Sequence, residues 1–102
     1  MFPLEEVYEK LFGKKGLEIE NHTAGALVVK SREMNNRVVA YHRHIEENVH
    51  REVIVVKVFG ETKPQLYVHN AEDSSFTLFS GATRVTLTQS ELEARLAELC
   101  QL

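Results

Sequence analysis

The chain has 102 residues, 12 Lys and Arg against 15 Asp and Glu, and a formal net charge of −3. That length fits a single domain spanning 1–102, and an apolar share of 43% is above what disorder tolerates. The mild acidity makes nucleic acid an unexpected partner, and the single cysteine, Cys100, excludes an internal disulfide and points to a reducing, cytoplasmic setting.

Residues 3–12 predict a short helix. Pro3 suits its first position, Glu5 and Glu6 sit at the positive end of its dipole, and Leu4, Val7, Tyr8 and Leu11 recur on one face. These early charges (Glu5, Glu6, Glu9, Lys10) are not those of a secretory signal, and no apolar run approaches the roughly 20 residues of a membrane-spanning helix. Gly13 reads as a left-handed cap. The basic link Gly13-Lys14-Lys15-Gly16 lacks the spacing of a phosphate-binding loop.

Leu17-Glu18-Ile19-Glu20 alternates apolar and acidic residues, as a strand with one wet face does. After a turn over 21–25, residues 26–33 and 37–45 predict two strands joined at Met34-Asn35-Asn36, where Asn tolerates the positive φ of a tight hairpin. A polar turn is expected over 46–51. Then comes Glu52-Val53-Ile54-Val55-Val56-Lys57-Val58-Phe59, closed by Gly60. Val53, Val55 and Phe59 fall on one face, and Ile54, Val56 and Val58 on the other. A strand apolar on both faces calls for cover on both and for a central place in the sheet. Lys57 is the exception, read as an apolar stem with its ammonium in water.

Residues 65–69 predict a short strand, and 70–75 a loop. Strands 76–80 and 83–87 flank Gly81-Ala82. Gly in the first central position fits a II′ turn, which sets Leu78 opposite Val85 and Phe76 opposite Leu87. Thr88-Gln89-Ser90-Glu91 is a capping box. It opens a helix to about residue 101, with Leu92, Leu96 and Leu99 in one stripe, Glu91 and Arg95 paired on the wet side, and Cys100 near its end as a small, partly buried apolar residue.

The order of helix, about six to seven short strands and helix predicts an α+β domain: an antiparallel, curved or partly closed β-sheet with an N-terminal and a C-terminal helix. One arrangement packs both helices on one face of the sheet. The other closes the sheet into a barrel plugged by the C-terminal helix, an order of elements similar to the pleckstrin-homology architecture.

Three groups of residues could carry function. His42 and His44 share a strand face, and with His69 they are candidate ligands for zinc or a similar metal. His42-x-His44, followed by Glu46 or Glu47 and later His69, resembles the metal motif of cupins, without the flanking glycines of that family. The plainer reading is solvated or hydrogen-bonded histidines, and no cofactor is expected. Second, a two-residue turn at Asn35-Asn36 pairs residue i with 71 − i. That gathers Lys30, Arg32, Arg37, Tyr41 and Arg43 on one face, as an anion- or ligand-binding patch or as an ordinary solvated face. Third, a small chain with an exposed sheet edge is a candidate for a two-fold homodimer.

No nucleophile elbow, C-x-x-C pair or glycine-rich nucleotide fingerprint occurs, so an enzyme is the less favoured reading. The short helix, Gly16-Leu17-Glu18-Ile19-Glu20 and the following strands to about residue 59 resemble the start of type III secretion chaperones. That resemblance implies a homodimer binding an extended client segment, with an internal helix after residue 60. The main expectation is a non-enzymatic binding module for a protein or peptide partner. The alternatives are a small-ligand or metal protein using His42, His44 and His69, and a secretion-chaperone-like client binder.

Overall fold

The computed structural model describes residues 2–13, 17–21, 26–46 and 49–102. Helix α1 (Pro3–Phe12) is followed by strands β1 (Leu17–Asn21), β2 (Ala26–Met34), β3 (Arg37–Glu46), β4 (Val49–Val58), β5 (Gln65–Asn70), β6 (Ser75–Ser80) and β7 (Thr83–Leu87), then helix α2 (Gln89–Leu99). The strands form one seven-stranded antiparallel sheet in chain order, with β4 at its centre and β1 and β7 at its edges. The sheet is open, so the first of the two expected arrangements is the one found.

Turn chemistry sets the register. Asn35 and Asn36 both take positive φ, 48° and 65°, as a two-residue I′ hairpin requires. Lys30 therefore pairs with Tyr41, Arg32 with Val39 and Met34 with Arg37. Gly81 has φ 59°, and Leu78 pairs with Val85 and Phe76 with Leu87. The polar turn expected over 46–51 is shorter than its composition implies: β3 and β4 stay paired from Arg37↔Val58 to Glu46↔Val49. Backbone bonds carry a ladder whatever the side chains are, so polar residues do not end it. The expected turn over 22–25 and the basic link at 14–16 lie outside the described residues.

Both helices pack on the same face of the sheet, here called the inner face. Leu4, Val7, Tyr8 and Phe12 of α1 and Leu92, Leu96 and Cys100 at α2 are buried with Val39, Tyr41, Ile54, Val56, Tyr67, Phe76, Leu78 and Leu87 from the inner face. The buried stripe of α2 runs through Leu92, Leu96 and Cys100, with Leu99 at its flank; Cys100 is fully buried rather than partly so, because it continues the i, i+4 row. The capping box forms as expected: the Glu91 amide donates to Thr88 Oγ1 at 3.2 Å and the Thr88 amide to Glu91 Oε1 at 3.0 Å. Where the secretion-chaperone resemblance implies an internal helix, the chain continues as β5. Among the described residues, no helix is long and apolar enough to cross a membrane.

Truncating the core has a calculable cost. Leu96→Ala should lower unfolding free energy by about 2–5 kcal/mol, whereas Lys57→Ala, at an exposed side chain, should change it by about 0.5 kcal/mol or less. Urea unfolding followed by circular dichroism distinguishes the two.

Candidate functional site

Helix α1 begins without a side-chain cap of its own. Phe2 occupies the cap position and makes no side-chain capping bond, so the first backbone N–H groups need an acceptor from elsewhere. Glu52 on β4 supplies it. The Leu4 and Glu5 amides donate to its carboxylate at 3.5 and 3.2 Å, and Tyr41 Oη donates at 2.8 Å. His69 Nδ1 lies 3.5 Å from Oε2. With 2% exposure, Glu52 is a buried carboxylate held by a helix N-terminus, a phenol and an imidazole, a set of partners that suits a negative charge.

The five residues of the expected basic patch do share one face, and it is the inner one. There α1 lies over them with carboxylates. Lys30 Nζ is 3.1 Å from both Glu5 and Glu9. Arg43 Nη1 is 3.1 Å from Glu5, and its guanidinium stacks on Phe2 at 4.1 Å from the ring centroid. Arg32 donates to the Phe12 carbonyl, and Tyr41 is taken by Glu52. Burial alone would lower the Lys30 pKa, but the bonds to Glu9 and Glu5 outweigh it and the net shift is upward. Arg37 stands apart, with an Asn35 carbonyl as its acceptor.

The histidines do not converge. In β3, His42 pairs with Val53 and His44 with Arg51, which puts both on the outer face, away from the helices. His69 pairs with Phe76 and faces inward, its ring 5.2 Å from that of Phe76. Opposite faces of one sheet cannot bring the three rings to a single ion. No group of metal-ligating side chains with metal-binding geometry occurs among the described residues. Burial, partly offset by Arg37, raises the Cys100 thiol, which disfavours the reactive thiolate.

The outer face has a different character. Two rows of cross-strand neighbours run across it. One is Ala40, Val55, Leu66 and Phe79, and the other His42, Val53, Val68 and Thr77. Neither helix reaches this face. Its apolar side chains shield one another and stay only partly exposed. Charges stand around the rows: Arg51, Lys57 and Arg84 are exposed, and the Arg84 guanidinium lies 5.4 Å from the Phe79 ring centroid. Toward β7, Val53, Val68 and Phe79 line an open groove of about 780 Å³ whose other lining is mostly polar, including Arg51, Glu72 and Arg84.

Composition alone hides Glu52. Its signal is parity: it shares a face with Ile54 and Val56, so it must be buried with them, beneath a helix that starts with Phe2 and Pro3 instead of a capping residue. Comparison of the chain with protein-family models, with curated proteins and with solved structures finds no match.

Two outcomes follow from the inner polar cluster. Glu52→Ala leaves a phenol and two helix amides without their acceptor and should cost about 3 kcal/mol or more; Glu52→Gln keeps one acceptor oxygen and should cost about half that. Equal, small losses in urea unfolding would contradict the capping role. Burial raises the phenols of Tyr8, Tyr41 and Tyr67 above their ordinary value of 10.0, Tyr67 to about 12, with the Glu52 carboxylate adding to the shift at Tyr41. Phenols kept neutral by the fold leave stability intact below pH 10 and erode it as pH climbs from 10 toward 12. In an alkaline titration, tyrosinate absorbance should therefore rise together with loss of the sheet's circular dichroism, not before it.

Proposed function

We propose that this chain is a non-enzymatic docking module that works through the outer face of its sheet, and that the occupant of that face is a second copy of the chain. The observation that carries the reading is the apolar row of Ala40, Val55, Leu66 and Phe79, with Val53 and Val68 beside it, on a sheet whose two helices both lie on the opposite side. Such rows are the normal inner lining of a two-sheet sandwich, with sheets about 10 Å apart.

The placement of charge suits self-pairing. A two-fold interface sets each patch against its own copy, so any charge near the centre would meet its like. Val53, Val55, Leu66 and Val68 form the centre, and Arg51, Lys57 and Arg84 stand around it. The chain exposes 6510 Å², and a specific interface removes about 600–1000 Å² from each partner. The polar clusters of the inner face are occupied in holding α1, which supports docking over catalysis. A fully buried lone thiol suits the reducing setting of the cytoplasm.

Light scattering coupled to size exclusion, run over a range of concentrations, tests this. The expected mass is twice the 11.7 kDa of the chain. Val55→Lys or Leu66→Lys should return the monomer with unchanged circular dichroism, because each adds a charge to a face that is solvated once the partner leaves. A wild-type chain that stays monomeric, or dimers that survive both substitutions, would contradict the second copy as occupant.

A further inference from the structure

The inner face is treated differently at its two ends. Under α1, Lys30 and Arg43 have carboxylate partners and Arg32 a carbonyl. Beyond α1, beside α2, a cleft of about 530 Å³ opens between that helix and β5–β7. That space lies within the range of small-molecule pockets, about 300–1000 Å³. Its lining is apolar at Leu78, Val85 and the ring of Tyr67, whose hydroxyl donates to Gln65 Oε1. Its walls carry Arg37, Arg95, Glu98 and Ser80.

Arg37 has no carboxylate partner among the described residues. Its Nε, like that of Arg43 under α1, is buried with no hydrogen-bond partner among the described residues, a costly state for a guanidinium nitrogen, and its Nη1 donates to the Asn35 carbonyl. Arg95 sits close enough to the buried Tyr67 phenol to act on it electrostatically. Glu98 follows Arg95 by three residues on α2 and Glu91 precedes it by four, both within reach along the helix surface, and Arg95 acts electrostatically on Glu91. Arg37 is thus the guanidinium of the cleft that has no carboxylate among the described residues.

We propose that this cleft binds a small organic carboxylate with an apolar body, its carboxylate accepting hydrogen bonds from Arg37 and Arg95 and its body lying on Tyr67, Leu78 and Val85. A single guanidinium without a carboxylate matches a monoanion better than a phosphate ester, which brings closer to two charges. The planar guanidinium fork matches a carboxylate. The cleft and the outer face lie on opposite sides of the sheet, so this site does not rest on the second copy.

Octanoate is the probe and octanol its uncharged counterpart, each titrated into the full chain while backbone amide NMR signals are followed. Octanoate should give saturable shifts around Ser80, Thr83 and Leu99 and bind about tenfold or more tighter than octanol. Arg95→Gln, at an exposed side chain, should remove most of that preference and leave octanol binding unchanged; Arg37→Gln should do the same in a chain whose amide spectrum stays folded. Equal affinity for the two probes, shifts centred on Val55 and Leu66, or an undiminished preference in Arg95→Gln would overturn the proposal. Light scattering on the same samples reports the outer face separately.

Discussion

One geometric constraint governs this molecule: a sheet apolar on both faces at its centre has helices for only one. Seven strands spaced about 4.8 Å apart make a sheet about 29 Å wide from edge strand to edge strand, and the molecule measures 35 × 30 × 25 Å. Two helices of 10 and 11 residues, each about 10 Å across, lie side by side over most of one face and leave none for the other. Val53 and Val55 on β4, with Leu66 and Val68 beside them on β5, are left partly exposed on the face away from the described helices. The proposed docking function rests on that face rather than on any polar group.

The inner face shows why its charges serve the fold. Lys30, Arg43 and Glu52 sit where an ordinary sheet would place Val or Leu, and all three hold α1. Glu52 binds the helix N-terminus, and Lys30 and Arg43 bind Glu5 and Glu9 one turn apart on its underside. Ion pairs of this partly buried kind add little net stability over apolar packing, but they are directional. They fix the position of a short helix that hydrophobic contact alone would let slide. Arg37, beyond the reach of α1, is where the same pattern runs out of carboxylates.

Much of the fold is legible in the sequence because it is written in local chemistry. Asn35-Asn36, Gly81-Ala82 and the Thr88–Glu91 capping box each fix a turn or a helix start, and the hairpin registers follow from them. The central place of β4 follows from its two apolar faces. What local chemistry cannot say is which face of the sheet each helix chooses. The cluster of Lys30, Arg32, Arg37, Tyr41 and Arg43 follows from register alone, yet its meaning depends on α1 arriving over it. The same uncertainty separates His69 from His42 and His44: parity places each within its own strand, but only the alignment of β3, β4 and β5 shows that they face opposite ways.

The most direct test of the account is an isotope-filtered NOE experiment on a mixture of labelled and unlabelled chains, which records contacts between copies only. The account predicts intermolecular contacts from the methyl groups of Val53, Val55, Leu66 and Val68 and from the Phe79 ring. Intermolecular contacts arising from the helices or from the strand edges, or none at all at concentrations where light scattering shows a dimer, would contradict the claim that the outer sheet face is where this chain docks.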